Sequence, residues 1–302
     1  MKSETFFNHR PLLDDCFSVL IPVPVDLTCS FRRGSSHSFQ HLQKISNQVD
    51  IGKPIFQHPV FVHEFNNNMF NENEKLASKA FNLKQKFDNN IRYSQSDYQD
   101  LSEINSKMSD WMYWIKDTSL NYLSQDKIVG LFGGDHSISL GLIQALSETQ
   151  DSFGVIHFDA HFDYLDTYQG FSYSHASVMK NVIKIPQVSK IVSIGIRDYL
   201  NEEIDFANKN PKVKYYLNED LKANYFQGYS WESICVNMIK SFPQKIYISC
   251  DIDVLDCHYC PTSGTPVPGG FNYDQLIYLF ELCLSYGHHI VGFDLVEVAG
   301  QD

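Results

Sequence analysis

The sequence predicts an α/β fold of three layers, in which a central parallel sheet is flanked by helices. Two observations predict it: short β-branched runs alternate with helical patterns, and groups of Asp and His residues follow several of those runs. Strands alternating with helices are typical of parallel sheets that are covered on both faces. Binding groups in such sheets lie at the carboxyl ends of strands, so the loops after the runs are candidate functional sites.

Six runs have the length and composition of buried strands. They are residues 18–23, 127–132, 153–158, 190–195, 245–250 and 290–294. Helical spacing of apolar residues predicts helices over residues 138–148, 175–183, 201–209, 231–242 and 273–285. Similar spacing between Leu101 and Ile115 predicts a helix that packs before the second strand.

Residues 65–90 differ from the rest of the chain, because they are rich in Asn, Glu and Lys. We predict a surface insertion or a mobile helical segment there. No internal repeat and no clear linker divides the sequence, and 302 residues are compatible with one large domain. The prediction is therefore a single domain over residues 1–302.

Composition argues against several classes of protein. The 24 Lys and Arg are outnumbered by 36 Asp and Glu, giving a net charge of −12, whereas nucleic-acid binding needs a basic surface. The seven cysteines are odd in number and scattered, unlike a disulfide framework. Residues 1–20 lack the apolar region of a signal peptide, and the longest apolar stretch is far below the roughly 20 residues of a membrane span. We expect a cytoplasmic protein with no nucleic-acid or membrane partner.

The first candidate loop is Gly-Gly-Asp-His-Ser at residues 133–137, directly after a predicted strand. Two glycines permit a tight turn with close backbone approach. The loop is either a turn capped by Asp135 or Ser137 with an incidental histidine, or a functional site that includes His136.

The second loop is more specific. Asp159, His161 and Asp163 share one side if the chain stays extended, because side chains alternate with period two. Neighbouring carboxylates repel one another, so such a set needs a compensating cation. The alternative is a solvated polar loop.

The third loop places Asp251 and Asp253 on one face after another strand. An EF-hand would need Gly at its sixth position and Glu at its twelfth, and these positions hold Asp256 and Thr262. Together the three loops offer two imidazoles and four carboxylates, which suit Mn²⁺, Fe²⁺, Co²⁺ or Zn²⁺. Six such ligands exceed one tetrahedral zinc and fit two bridged divalent ions better.

The three motifs, at residues 133–137, 159–163 and 249–253, resemble in their order the signatures of the ureohydrolase family, which includes arginase and agmatinase. The resemblance extends over residues 18–300 and implies an arginase-like three-layer fold. It also implies two Mn²⁺ per subunit, hydrolysis of guanidino or amidino carbons, and a homo-oligomer, either a trimer or a hexamer.

The same resemblance implies a role for each metal ligand. A hydroxide bridging the two ions would attack the guanidinium carbon and release urea and an amine. The ligands would be His136 and Asp163 on one ion, His161 and Asp253 on the other, and Asp159 and Asp251 as bridges.

Two further residues would complete the chemistry. His175 matches the family histidine that shuttles protons, a task suited to a side chain that titrates near neutrality. The alternative is a histidine at a helix start beside the capping residue Ser174. Glu297 matches the family glutamate that binds the guanidinium, since a carboxylate can accept two parallel hydrogen bonds from that group. Asp294 is predicted to be structural.

Within the family the chain is most like agmatinases. The loop 163–175 is short and aromatic, and residues 193–197 and 263–270 also resemble agmatinase sequences. A small cationic guanidino substrate is therefore expected, agmatine giving putrescine and urea in polyamine biosynthesis. The alternatives are guanidinobutyrase, arginase or formimidoylglutamase activity, or a non-catalytic homologue that acts as a binding protein.

The sequence also departs from the family pattern. Cys257 replaces a common proline, and its C-x-x-C spacing with Cys260 is interpreted as coincidental. Residues 32–39 stand where agmatinases have a Gly-Pro-containing stretch. The sequence ends five residues after Glu297, where the family usually continues into a final helix, so either that helix is absent or the sequence has been trimmed.

Overall fold

The computed structural model describes residues 6–7, 10–49 and 58–299. They form one eight-stranded sheet whose strand pairs are all parallel, in the order β2-β1-β3-β8-β7-β4-β5-β6. The strands are β1 (Ser18–Pro22), β2 (Val60–Val62), β3 (Ile128–Phe132), β4 (Phe153–Phe158), β5 (Val188–Ile196), β6 (Val213–Leu217), β7 (Lys245–Asp251) and β8 (His289–Val296). The predicted α/β class and parallel sheet are confirmed.

The described residues also contain nine α-helices. They are α1 (Ser38–Ser46), α2 (Asn67–Asp88), α3 (Gln95–Leu123), α4 (Ser139–Thr149), α5 (Val178–Val182), α6 (Asn201–Lys209), α7 (Asn218–Phe226), α8 (Trp231–Ile239) and α9 (Tyr273–Ser285). None of the helices in the described part of the chain is both long and apolar enough to cross a membrane.

Apolar cores lie on both faces of the sheet, because alternate residues of one strand enter different cores. Val155 belongs to the core that α2–α6 cover, whereas Ile156 belongs to the core that α7–α9 cover. Period-two alternation of fully apolar strands requires this arrangement. The three layers predicted from the sequence are therefore present.

The six predicted strands and the six predicted helices are confirmed with small shifts at their ends. The segment 175–183 begins as a 3₁₀ turn over His175–Ser177 before α5 starts. Residues 65–90 contain α2, so the helical part of that prediction is confirmed. This helix buries residues that include Asn73, Leu83 and Lys84, and it packs against α3. The sequence analysis did not predict β2, β6, α1 or α7.

Candidate metal centre and active site

The candidate site lies at the carboxyl ends of four neighbouring strands. The order β3-β8-β7-β4 brings together loops that are distant in the sequence. Each predicted site residue lies in these loops or borders the cleft beside them. They are His136 after β3, Asp159, His161 and Asp163 after β4, Asp251 and Asp253 at the end of β7, Glu297 after β8, and His175 at the start of the turn before α5.

Two glycines fold the β3 loop. Gly133 and Gly134 have φ of +83° and +81°, a region that glycine enters without strain. A Cβ on Gly134 would lie 2.8 Å from the carbonyl oxygens of both Val23 and Val25, so this position also needs the absence of a side chain. The tight turn delivers the next residues, Asp135 and His136, into the interior.

Asp135 fastens this loop to the segment after β1. Its buried carboxylate accepts hydrogen bonds from Thr28 N at 3.0 Å, Thr28 Oγ1 at 2.7 Å and Ser137 N at 3.1 Å. Thr28 Oγ1 in turn accepts from the backbone N–H of His175 at 3.1 Å. Asp135 therefore positions the loops around the site. The capping interpretation of Asp135 is confirmed.

His136 directs one ring nitrogen at carboxylates. Its Nδ1 lies 3.0 Å from Asp159 Oδ2, 3.1 Å from Asp163 Oδ2 and 3.7 Å from Asp251 Oδ2. Despite these distances, Nδ1 is buried and has no hydrogen-bond partner of acceptable geometry. Burial lowers the pKa of His136, but the surrounding carboxylates outweigh it and raise that pKa well above its usual range.

Asp159 presents its two oxygens to two different groups. Oδ2 faces His136 Nδ1 at 3.0 Å and His157 Nε2 at 2.9 Å. Oδ1 accepts from the backbone N–H of His161 at 2.7 Å and lies 3.3 Å from His161 Nδ1. Burial raises the pKa of Asp159, but the three histidines outweigh it and hold that pKa well below its usual range.

The β7 loop completes the centre. Asp251 Oδ1 accepts from Asp253 N at 2.8 Å, and Asp253 Oδ1 accepts from Ala160 N at 3.0 Å, which ties this loop to the β4 loop. Asp253 Oδ2 lies 3.2 Å from His161 Nδ1. Burial, together with the charges of Asp253 and Asp159, raises the pKa of Asp251 well above its usual range.

Within the site, two sets of donor atoms lie close enough to hold a metal ion, with all atoms of a set within 4.8 Å of one another. One set is His136, His157, Asp159 and Asp163, and the other is Asp159, His161 and Asp253. Asp159 belongs to both. The donor set is imidazole and carboxylate, as divalent manganese and similar ions prefer. The residues present therefore fit a metal centre.

The sequence analysis did not identify His157. Its ring bonds Asp159 through Nε2 and Ser193 Oγ through Nδ1 at 3.1 Å, so it supports Asp159 from within β4. The period-two rule that grouped Asp159, His161 and Asp163 applies equally to His157, so the signal was present in the sequence.

Glu297 lies directly beside the centre. Its buried carboxylate accepts from the backbone N–H of His136 at 3.1 Å, and the Cys29 thiol lies 3.4 Å from its Oε2. Burial and the charge of Asp135 raise the pKa of Glu297 well above its usual range. Glu297 and Asp163 both have φ of +58°, an uncommon left-handed conformation that tends to occur at functional sites.

His175 borders an open cleft of about 250 Å³ that leads to His161 and Asp163. Burial and the positive charges of His161 and Lys84 lower the pKa of His175 to about 3, so its ring is neutral at physiological pH. The remaining wall combines carboxylates with apolar and aromatic groups. It includes Asp198, Glu203, Leu165, Tyr168, Tyr199 and Leu200.

Asp294 has the structural contacts predicted for it, since it accepts hydrogen bonds from Tyr247, Ser249 and the backbone of Cys250.

The loop that contains Cys257 brings donor atoms of Asp256, Cys257 and His258 within 4.8 Å at the surface. Cys260 is not part of that group.

Comparison with known proteins gives a consistent result. The model of the arginase family matches residues 18–301. An N(1)-aminopropylagmatine ureohydrolase from Thermococcus kodakarensis is 32% identical over 171 residues, which are 57% of this chain and 54% of that relative. An agmatinase from Bacillus cereus is 24% identical over 296 residues, which are 98% of this chain and 88% of the relative.

The fold is shared with solved structures. The agmatine ureohydrolase of Thermoplasma volcanium superimposes with a TM-score of 0.68 at 23% identity, covering 96% of this chain and 84% of that chain. The chain spans 54–59% of the length of the first three curated relatives that it matches. Because the family model covers nearly the whole sequence, including all three Asp- and His-containing loops, this chain belongs to the arginase family.

Proposed function

We propose that this chain is a metal-dependent hydrolase that cleaves the guanidino group of agmatine to give putrescine and urea. One observation carries the proposal: two imidazoles and four carboxylates converge at the ends of β3, β4 and β7. In the described part of the chain, the ion pairs of these carboxylates are with histidines and not with lysine or arginine. Buried carboxylates in such numbers need cations to balance them.

The distances support five of the six ligand roles that the resemblance implies. His136 and Asp163 would hold one Mn²⁺, His161 and Asp253 the other, and Asp159 is suited to bridge them because its two oxygens face the two groups. Asp251 lies outside both sets of donor atoms, with its Oδ2 3.7 Å from His136 Nδ1, and its role as the second bridge rests on the resemblance alone. Two divalent ions in such a site would lower the pKa of a water and polarise the group under attack.

Glu297 would hold the guanidinium beside the ions. Its carboxylate is fixed by the backbone N–H of His136, and its Oε2 lies next to Gly264, where a Cβ would approach that oxygen to 2.6 Å. A carboxylate held in this way can accept parallel hydrogen bonds from a planar guanidinium. Gly264 leaves the space that this contact needs.

His175 would move protons during the reaction. Its pKa of about 3 differs from the near-neutral titration expected from the sequence, so the ring would hold a proton only transiently, and the proposed role rests on its position beside His161 and Asp163 in the cleft. Its backbone is fixed by Thr28, and its ring lies edge-on to Tyr168 with centroids 5.7 Å apart.

The cleft favours a substrate tail that is aliphatic and cationic. Leu165, Leu200 and the neighbouring tyrosines can contact methylene groups, and Asp198 and Glu203 can attract an ammonium. No lysine or arginine occurs among the described residues that line it, so the carboxylate tails of arginine and 4-guanidinobutyrate would lack a partner. This contrast favours agmatine.

A second substrate in the same class is N(1)-aminopropylagmatine. Relatives that bear this name are 31–32% identical to the chain. The side chain of Asp198 is 68% exposed at the mouth of the cleft, where a longer polyamine could place another ammonium.

The test is urea release by the Mn²⁺-loaded protein from agmatine, N(1)-aminopropylagmatine, arginine and 4-guanidinobutyrate, with formimidoylglutamate followed as formamide. We expect kcat/KM for one of the two polyamine substrates to exceed that for the others by at least about tenfold, because one misplaced charge costs more than 1.4 kcal/mol. Preference for arginine or guanidinobutyrate would contradict the proposal that the cleft selects a cationic tail. If two metals were bound and no compound were hydrolysed, the proposed hydrolase activity would be wrong.

We also propose manganese as the metal, a cytoplasmic location, and assembly as a trimer or hexamer. The mixed imidazole and carboxylate donors support manganese, and the odd, scattered cysteines support a reducing compartment. Metal analysis of the purified protein and its mass in solution test the first and third of these.

A further inference from the structure

A chain of buried hydrogen bonds reaches His136 from the side opposite the carboxylates. His136 Nε2 lies 2.9 Å from Ser249 Oγ, and Ser249 Oγ lies 3.0 Å from Asp294 Oδ2. Asp294 also accepts from the Tyr247 hydroxyl at 2.5 Å and from Cys250 N at 3.1 Å. His136, Ser249 and Asp294 are each at most 1% exposed.

The number of protons fixes the direction of these bonds. An ionised carboxylate can only accept, and a serine hydroxyl has one proton to donate. Because Ser249 donates its only hydroxyl hydrogen to Asp294, its oxygen can act only as an acceptor toward His136 Nε2. An imidazole that binds a metal is neutral and has a single N–H, so in the metal-bound protein Nδ1 carries the lone pair.

We propose that Ser249 and Asp294 are positioning residues that hold the His136 proton on Nε2 and so make Nδ1 the nitrogen that binds metal. The inference rests on the metal centre of the proposed function and extends it beyond the ligands themselves. It agrees with the position of Nδ1, which faces three carboxylate oxygens at 3.0–3.7 Å and makes no hydrogen bond with the described residues, as a metal-binding nitrogen would.

Among the described residues, no comparable hydrogen-bond network reaches the second predicted ligand histidine. His161 Nε2 faces Asp198 Oδ2 at 3.8 Å, and the side chains of His161 and Asp198 are 24% and 68% exposed. The network on the His136 side therefore makes the two metal positions unequal. Removing the Ser249 hydroxyl should weaken the binding of one Mn²⁺ ion and leave that of the other unchanged.

Mn²⁺ binding by calorimetry tests this inequality. In Ser249→Ala we expect one of the two binding events to weaken about 10–100-fold, as is typical when the hydrogen-bond partner of a metal-binding histidine is removed. Asp294→Asn keeps the shape of the side chain and should weaken the same event. Because both act through one network, the double variant should lose less than the two single losses combined.

Ser119→Ala is the control. Ser119 is also fully buried, but it lies in α3, and its hydroxyl has no hydrogen-bond partner among the described residues. We expect both Mn²⁺ affinities of this variant to stay within the scatter of the wild-type values. An equal loss in Ser119→Ala would show a general packing effect and overturn the proposal.

Proton position is read directly by NMR of ¹⁵N-histidine-labelled protein loaded with Zn²⁺, which is diamagnetic. We expect the His136 ring to keep its proton on Nε2, with assignment by the resonance missing in His136→Asn. A His136 ring without a proton on Nε2 would overturn the proposal, as would single variants that bind both Mn²⁺ ions normally.

Neither measurement contains a substrate, so the two proposals can fail separately. An Nε2 proton in a protein that releases no urea would overturn the proposed function alone. An active enzyme whose His136 lacks that proton would overturn the network alone.

Discussion

Negative charge is concentrated in the interior of this site. Asp159, Asp163, Asp251 and Asp253 are all at most 4% exposed, and Glu297 lies beside them at 3%. Burial favours the neutral form of a carboxylate, so a protein keeps such a group ionised by a hydrogen bond, a partner charge or a metal. The histidines provide part of this balance, and bound cations would provide the rest.

Single substitutions of ligands test the centre most directly. We expect His161→Ala or Asp251→Ala to abolish both two-metal binding and urea release, because each removes a donor that the remaining residues cannot replace. Metal content per chain and the initial rate with agmatine are the measurements. His258→Ala, at a surface histidine that bonds Asp256, is the control and should leave both unchanged. Urea release that survived either ligand change would contradict the two-metal assignment.

His175→Asn should separate proton transfer from metal binding. Loss of a general acid–base typically lowers the rate by 10²–10⁴-fold. We expect kcat with agmatine to fall within about that range while metal content and KM stay near the wild-type values. Partial recovery of the rate with added imidazole would support the role. A variant with nearly normal kcat would show that His175 has only a structural role at the start of the helix.

Sequence reasoning recovered residues of the site where a local rule applied. The period-two pattern located Asp159, His161 and Asp163, and the same pattern could have identified His157 and Ser249. By contrast, Lys84 contacts Leu27 and Cys29 in the segment after β1, and no spacing rule connects these distant parts of the chain.

At the scale of elements, α2 holds two of the loops around the site. Its Lys84 donates to the carbonyl oxygens of Leu27 at 3.1 Å and Cys29 at 2.6 Å. Its last residue, Asp88, accepts from Gln169 in the loop before His175 at 2.9 Å. The segment whose composition suggests a surface insertion thus contacts both loops, one through the buried Lys84 and the other through the exposed Asp88.

Lys84→Met should loosen the loop that places Cys29 beside Glu297. Hydrogen bonds from a charged group contribute about 1.5–3 kcal/mol each, and methionine keeps the length of the side chain. We expect the free energy of unfolding to fall by about that amount and KM for agmatine to rise. Chemical denaturation and steady-state kinetics are the measurements.

Lys79→Met is the control on the same helix, because Lys79 is exposed and pairs with Asp100 and Glu103. Surface ion pairs contribute about 0–1 kcal/mol, so this variant should remain close to wild type. Equal losses in the two variants would show that α2 does not act through the Leu27 and Cys29 carbonyls.

Arg33 joins the segment after β1, which contains Asp26, to α2. It donates to Asp26 Oδ1 at 2.6 Å and to Glu74 at 2.7 Å. Burial raises the pKa of Asp26, but Arg33, Asn73 and the backbone of Gly34 outweigh it and hold that pKa below its usual range. A carboxylate with a depressed pKa stabilises the fold above the pKa of the unfolded chain, and this contribution disappears as the pH falls through the folded value.

Arg33→Met should therefore destabilise the protein at pH 7 and much less in acid. We expect the free energy of unfolding to fall by about 1.5–3 kcal/mol at neutral pH, because hydrogen bonds to a charged group are lost. This difference should become smaller below about pH 4, where Asp26 is protonated in the unfolded chain. Unfolding by urea across this pH range measures it. Arg32→Met is the matched control, since Arg32 is exposed and donates to Pro261 O alone among its described hydrogen bonds. A loss that did not depend on pH would contradict the Asp26 pairing.

The elements that the sequence analysis missed have weak local signals. β2 has three residues, and β6 is a half-buried edge strand with Lys214 inside it. Leu221 is the buried residue of α7, so that helix has no apolar face to detect. Long buried strands and amphipathic helices were found because burial on one face imposes a period that short edge elements lack.

At the scale of the molecule, the site depends on the order of strands in the sheet. The carboxyl ends of β3, β8, β7 and β4 are adjacent, although β8 is last in the chain. Sequence patterns predicted parallel strands with polar loops at one edge. They do not specify which strands are neighbours, so the meeting of His136, Asp251 and Glu297 at one point follows from the fold.

Metal binding should stabilise the whole molecule, and more so at high pH. Metal and protons compete for the same ligands, and the pKa values of His136, His161, Asp163 and Asp251 are all raised. Groups with a raised pKa hold protons more tightly in the folded state, so the metal-free fold gains stability as the pH falls, whereas the metal-bound fold must release those protons.

We expect Mn²⁺ at about 100 times its Kd to raise Tm by roughly 5 °C at pH 8, from about 2.7 kcal/mol of binding energy. At pH 5.5 the increase should be clearly smaller, and it should be absent in Asp251→Ala at both pH values. Calorimetry with and without a chelator measures it, and a larger increase at pH 5.5 would show that protons and metal do not share these ligands.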